Sequence, residues 1–211
     1  MAIARLDDIS LTIGSVPILR RVELELSEGE RLGIAGPNGV GKTTLLMVLA
    51  SLLPPTGGQG SVLGAALGTP DVLAIRPSIG LSGHDPALYD QLTLAENLDH
   101  VARLAGVASG AVDVVLDQVG LAEAADRKAA ACSEGMRRRT DLARLLLIRP
   151  RLVLLDEAHA GLDADARIIV DEIGRRAVAD GGAVVTVTHD ADALRSQADR
   201  VVTMTGGMVR S

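Results

Sequence analysis

Three groups of residues in this chain have types and spacings suited to a phosphorylated substrate. Gly36-Pro37-Asn38-Gly39-Val40-Gly41-Lys42-Thr43-Thr44 fits the pattern G-x-x-x-x-G-K-[ST], anchored by Gly36, Gly41, Lys42 and Thr43. Glycines let the backbone curl so that successive N–H groups point inward at phosphate oxygens. A helix opening straight after the loop adds its partial positive charge. Lys42 can reach β- and γ-phosphates as a compact point charge, which arginine cannot mimic in so tight a loop. The chain has 21 basic residues, and only Lys42 and Lys128 are lysines. The Thr43 hydroxyl is a candidate Mg²⁺ ligand.

The second group is Leu152-Val-Leu-Leu-Asp156-Glu157, four apolar residues ending in two carboxylates. A buried parallel strand that ends in Asp places the side chain at the carboxyl edge of its sheet, where ligands of open α/β sheets bind. Asp156 can hold Mg²⁺, and Glu157 can polarise a water that attacks a γ-phosphate. The third is Thr186-Val-Thr-His189, again an apolar strand with a chemically active residue at its end. His189 is placed to contact a γ-phosphate. A fourth segment, Cys132-Ser-Glu-Gly-Met-Arg-Arg-Arg139, is weaker as plain sequence. Ser133 can cap a helix and the Gly135 backbone can approach phosphate. The phosphate loop alone does not separate kinases, GTPases, helicases and transporters.

The elements that must position these groups can be read from the hydrophobic pattern. Ile9–Ile13, Val22–Leu26 and Arg31–Ala35 alternate as strands, and Thr43–Leu53 reads as a helix. Short strands are expected at Ser61–Leu63 and Ser78–Leu81. Thr93–Ala105, Ala111–Val119 and Ala122–Ala130 have helical spacing, and Glu134–Ile148 continues as a helix. Then strand and helix alternate: Leu152–Leu155, Asp165–Val178, Ala183–Thr188 and Asp192–Gln197, which indicates a parallel sheet covered by helices. Val201–Met204 and Met208–Arg210 form a hairpin around Gly206-Gly207. The fold class expected is α/β: a parallel-sheet core of the phosphate-loop NTPase kind, an antiparallel N-terminal β layer, and a helical subdomain inserted near residues 85–150. One domain spans residues 1–211.

Composition narrows the partners. With 211 residues, 47% of them hydrophobic, the chain can build a sizeable core. A net charge of −6 argues against duplex nucleic acid as a partner. The lone Cys132 excludes an internal disulfide and a cysteine-based zinc site, and it suits a reducing cytoplasm. The densest apolar run, Leu45–Leu53, is about half of the roughly 20 residues a membrane helix needs. The first residues carry no signal-peptide core, so neither membrane spanning nor Sec export is expected.

In combination these segments resemble the ATP-binding subunit of ABC transporters. Gly36–Thr44 matches the phosphate loop, Cys132–Met136 the signature segment, Leu152–Glu157 the second carboxylate motif, Gly161-Leu162-Asp163 the D-loop and His189 the switch histidine. Ile79–Leu98 resembles the segment leading into the family's helical subdomain. The resemblance implies a head-to-tail dimer around two ATP molecules, each held between one phosphate loop and the Ser133–Met136 segment of the other subunit. It implies Glu157 as general base, Asp156 and Thr43 on Mg²⁺, His189 on the γ-phosphate, and Asp163 linking the two sites. The implied partners are integral membrane subunits and a second copy of the chain, at the cytoplasmic side of the cell membrane.

Departures from the family pattern bear on mechanism. Cys132, Glu134 and Met136 replace the usual Leu, Gly and Gln, while Ser133 and Gly135 remain; Ser-x-Gly-Met-Arg is similar to drug-exporter members. His84 stands at the Mg²⁺-sensing glutamine, and Ala158 where Pro usually follows the catalytic Glu. The adenine-stacking aromatic would fall near Ile13, so loose base selectivity is expected. His84 and the shortness of the chain are also similar to the ATPase of the haem exporter used in cytochrome c maturation. The function expected is therefore ATP hydrolysis powering an exporter. The alternatives are a soluble ABC-type ATPase on a ribosome or DNA partner, and a non-hydrolysing partner in a heterodimer.

Overall fold

The computed structural model describes residues 1–83, 85–108, 110–157 and 164–210. Two long strands open the chain, β1 (Ala2–Ile13) and β2 (Val16–Ser27), paired antiparallel. Both extend well beyond the expected Ile9–Ile13 and Val22–Leu26. The charged pairs Asp7-Asp8 and Arg20-Arg21 interrupt the alternation, yet the strands run on through them by bulging. Asp8 and Arg21 take left-handed φ values of 58° and 49°, and their side chains pair at 2.7 Å. β4 (Gly57–Val62) and β5 (Ala65–Ala66) complete a sheet of order β2-β1-β4-β5.

The second sheet has the order β10-β9-β3-β8-β7-β6. Its members are β3 (Arg31–Ala35), β6 (Ile79–Ser82), β7 (Leu152–Asp156), β8 (Ala183–Thr188), β9 (Arg200–Thr205) and β10 (Met208–Arg210). The pairs from β9 to β6 are parallel, and only β9–β10 is antiparallel. Period-two alternation divides its side chains between two cores. Leu152 and Leu154 pack toward the antiparallel sheet and helix α1 (Lys42–Leu49); Val153 and Leu155 pack toward the helical side. Each fully buried Leu or Val contributes about 1.5–3 kcal/mol relative to exposure.

Helix α1 stops at Leu49 rather than Leu53. Ser51 turns left-handed at φ 58°, and the N–H groups of Leu52 and Leu53 both close onto the Met47 carbonyl. A one-turn helix, α2 (Val72–Ile75), follows β5.

The helical part comprises α3 (Leu94–Ala105), α4 (Ala111–Gln118) and α5 (Glu134–Ile148). Thr93 and Glu96 form a reciprocal cap at the start of α3, a T-x-x-E signal present in the sequence. The expected helix over Ala122–Ala130 is absent; two 3₁₀ turns, Ala122–Ala124 and Ala129–Ala131, stand there. Its backbone is used elsewhere. The carbonyls of Arg127 and Ala125 accept from Leu94 and Ala95 at the start of α3, while the Ala129 and Ala130 N–H groups donate to Leu92 and Asp90. Alanine-rich composition favours a helix, but these tertiary hydrogen bonds prevail. Helices α6 (Ala164–Ala179) and α7 (Ala191–Arg195) precede and follow β8 in the chain. Among the described residues no helix is long and apolar enough to cross a membrane.

Candidate nucleotide site

Sheet order decides what meets what. The phosphate loop follows β3, His189 follows β8, and Asp156-Glu157 end β7; these three strands are consecutive neighbours. Their register, Ala35 opposite Thr188 and Asp156 opposite Val187, brings the three strand ends to one edge.

The loop is shaped by glycines for two different reasons. Gly36 has no room for a side chain, since a Cβ would lie 2.5 Å from the Met204 carbonyl oxygen. Gly39 and Gly41 need positive φ, 76° and 105°. Gly41 is the N-cap of α1, and no side chain caps that helix. The first N–H groups of α1 therefore face a cavity of about 480 Å³, lined by Ile18, Asn38, Gly39, Gly41, Lys42, Thr43, Thr44, Asp156 and Glu157. Gly36, Pro37 and Val40 belong to the loop but not to the cavity lining.

Lys42 is 6% exposed, and its Nζ donates to the carbonyls of Gly36 at 2.7 Å and Pro37 at 3.1 Å. A buried ammonium needs such partners, and here they hold it at the mouth of the loop. Thr43 Oγ1 donates to Asp156 Oδ2 at 2.6 Å, joining residues 113 apart. These are the hard oxygen donors that Mg²⁺ takes, one hydroxyl and one carboxylate beside the cavity, so the residues present fit that ion.

Glu157 sits in a left-handed conformation, φ 52°, its N–H held by the Val187 carbonyl at 2.9 Å. Its carboxylate lies 2.9 and 3.1 Å from His189 Nδ1. Glu157 is half-buried and His189 is 57% exposed, so the pair is open to water.

Not every expected residue joins this cluster. Ser133 caps α5, accepting from the Met136 N–H at 3.3 Å, as the sequence suggests. Ser133 and Gly135 are exposed, and neither lines the cavity. His84, Ala158 and Asp163 lie outside the described residues. Ile13 sits at the β1–β2 hairpin tip, 53% exposed, and the apolar wall of the cavity is Ile18 instead. Sequence reading missed Ile18 because nothing local marks it. Only the pairing of β2 with β1 and the approach of the Ile18 carbonyl toward Gly41 bring it there.

Comparison with known proteins shows the family. The model of the ABC transporter family matches residues 19–160. The chain is 34% identical over 211 residues to an uncharacterised ABC transporter ATP-binding protein, YdbJ, of Bacillus subtilis (strain 168), covering 99% of this chain and 68% of that protein. It is 36% identical to the daunorubicin/doxorubicin resistance ATP-binding protein DrrA of Streptomyces peucetius, over 89% of this chain and 58% of that one. It is also 36% identical to the phosphonates import ATP-binding protein PhnC of Hyphomonas neptunium, over 92% and 80%. Among solved structures, the post-hydrolysis dimer of the ATP-binding cassette MJ0796 with ADP and Pi superposes with a TM-score of 0.87 at 26% identity, covering 99% of this chain and 97% of that one. This chain thus belongs to the ABC transporter family, as an ATP-binding and ATP-hydrolysing domain of it.

Proposed function

We propose that this chain powers an ABC transporter, in the export direction, as one half of a head-to-tail homodimer bound to integral membrane subunits at the cytoplasmic face. The observation that carries this reading is the convergence of the phosphate loop, Asp156, Glu157 and His189 on one cavity edge.

In this reading the N–H groups of the loop and the first turn of α1 bind the phosphates, and Lys42 swings from the Gly36 and Pro37 carbonyls to the β- and γ-oxygens. Glu157 accepts a proton from the attacking water, and His189 fixes the Glu157 carboxylate and reaches the γ-phosphate. Thr43 and Asp156 would hold Mg²⁺, which neutralises charge on the transferring phosphate. Ser133 and Gly135 serve the partner subunit's nucleotide. Their exposure supports this, as does the open space around Gly135, where a Cβ would meet nothing within 4 Å. Among the described residues nothing crowds Gly135, and the missing side chain would allow close approach by a group from outside the chain. Asp163 links the two sites across the dimer, and His84 replaces the Mg²⁺-sensing group.

Export is supported by the Ser133-Glu-Gly-Met-Arg137 segment, and haem as cargo by the His84 resemblance. Purification from native membranes in mild detergent, with mass spectrometry of the co-purifying proteins, tests both. An integral membrane subunit in the complex, with absorbance in the Soret region, is expected. Recovery of ribosomal or other soluble partners alone would overturn the transporter reading.

Base selectivity is a separate expectation. Ile18 gives an aliphatic wall where stacking on an aromatic would be worth about 1–3 kcal/mol. ATP and GTP should bind with affinities within about threefold of each other, and Ile18→Tyr should tighten ATP at least about fivefold. Competition titration with a fluorescent nucleotide measures both, and a preference for ATP beyond about twentyfold in the unmodified chain would show that something else reads the base.

A further inference from the structure

Helix α5 grips the end of strand β6 through polar groups that the nucleotide site does not use. Ser82, the last residue of β6, is 4% exposed and donates its Oγ to Asp141 Oδ2 at 2.7 Å. Asp141 lies in the middle of α5 and is 2% exposed. Its Oδ1 accepts from Arg144 Nε at 3.1 Å and Nη2 at 2.9 Å. The same Arg144 Nη2 donates to the Leu81 carbonyl at 2.7 Å, and Arg138 Nη1 donates to the Gly83 carbonyl at 3.2 Å. Three consecutive residues at the exit of one strand are thereby tied to one helix. Gly80 brings the two into direct contact: a Cβ there would lie 2.7 Å from Leu145 Cδ2 and Pro150 Cγ.

Stability is a weak explanation for this cluster. Desolvating an ion pair costs about as much as the pairing returns, and an apolar residue at position 141 would pack at least as well. What directional hydrogen bonds add over apolar contact is a fixed rotation and register. Asp141 lies about 12 Å along the helix axis from Ser133, at 1.5 Å per residue. A helix is stiff over that length, so a small rotation at Asp141 displaces the Ser133–Gly135 end.

We infer that Asp141 is a positioning residue: through Ser82 and Arg144 it locks the start of α5 to the exit of β6. Ser133 and Gly135 then meet a partner's nucleotide only while residues 81–83 keep this place. The effect on hydrolysis rests on the head-to-tail reading above; the mechanical link between strand exit and helix start does not.

Cys132 provides the readout that separates the two. It is the only cysteine, it directly precedes Ser133, and its Sγ–H donates to the Lys128 carbonyl at 3.3 Å. Its alkylation rate with iodoacetamide reports the placement of the helix start without any nucleotide. The experiment compares the full chain with Ser82→Ala, Asp141→Asn and the double variant, measuring Cys132 alkylation, ATP affinity, kcat and thermal midpoint. Each single variant is expected to change the alkylation rate about threefold or more and to lower kcat about fivefold or more, with ATP affinity held within about twofold. The double variant should be no worse than the more severe single, because both act on one link.

Ser82→Ala removes one oxygen and adds no bulk, so it decides the matter even where Asp141→Asn fails to fold. An unchanged Cys132 rate in Ser82→Ala overturns the inference, as do effects that multiply in the double variant. So does an unchanged kcat when the wild type hydrolyses ATP. A shifted Cys132 rate in a chain whose wild type does not hydrolyse ATP supports the mechanical link and overturns the nucleotide reading instead.

Discussion

Lys42→Ala removes tight nucleotide binding. Nζ is the one charged donor among the described residues lining the cavity, and its neighbours there, Asp156 and Glu157, are acids that repel a triphosphate. Without the ammonium, the loop N–H groups and the dipole of α1 act alone against that repulsion. Hydrogen bonds to charged groups are each worth about 1.5–3 kcal/mol, and Lys42 is expected to supply at least two of them to the β- and γ-oxygens. Affinity should therefore fall on the order of a hundredfold or more, since each 1.4 kcal/mol is tenfold. Lys42→Arg should fare little better, because a planar guanidinium does not fit where Nζ now sits between two backbone carbonyls. The same change leaves the carbonyls of Gly36 and Pro37 without their Nζ donor, so folding stability should fall by about 1–3 kcal/mol as well. Calorimetric titration with ATP, alongside the thermal midpoint without it, separates lost binding from lost folding. An unchanged affinity would mean that the loop is not the phosphate site.

Glu157→Gln should have the opposite signature: binding kept, turnover lost. The carboxylate is half-buried, and nothing described hydrogen-bonds it except His189. It is therefore free to accept a proton from water, which the isosteric amide cannot do. General-base catalysis contributes about 10²–10⁴-fold, so kcat should drop by that range while ATP affinity stays within a few fold. The amide also removes one negative charge from the phosphate side of the cavity, which favours retention of ATP. In a head-to-tail dimer this should trap the closed, ATP-bound pair, seen as a shift to twice the monomer mass by size-exclusion with light scattering. Steady-state phosphate release from the wild type and the variant decides the catalytic part. Equal, near-zero rates in both would return the chain to the non-hydrolysing class.

The two variants together discriminate more than either alone. Lys42→Ala probes the ground-state grip on the phosphates, and Glu157→Gln probes only what develops as water attacks. His189→Ala should fall between them, because its Nδ1 holds the Glu157 carboxylate without itself lining the cavity.

Much of the site was legible in the chain because its parts are local. A phosphate loop is nine consecutive residues whose function lies in their own backbone, so Gly36, Gly39 and Gly41 announce it without help from the fold. The same holds for strands that end in active residues: an apolar run terminating in Asp156-Glu157 or in His189 specifies both the buried strand and the side chain at its exposed end. The parallel sheet followed from strand and helix taking turns after residue 150, and the cap of α5 from Ser133 standing before an apolar-periodic stretch.

Other features depended on contacts between distant segments. The Thr43–Asp156 bond spans 113 residues, and the Glu157–His189 pair exists because β7 and β8 are neighbours in that register. Composition predicted a helix over Ala122–Ala130, and tertiary hydrogen bonds to α3 unmade it. Bulges carried β1 and β2 through charged pairs and beyond the expected Ile9–Ile13 and Val22–Leu26. Nothing local marks Asp141; it meets Ser82 only because β6 lies against α5. The sequence by itself determined which residues are candidates for the chemistry, because backbone curvature, charge and strand polarity are encoded within a few residues. The tertiary structure alone decided which of those groups share a cavity and which helix holds which strand, because sheet order and register join residues far apart in the chain.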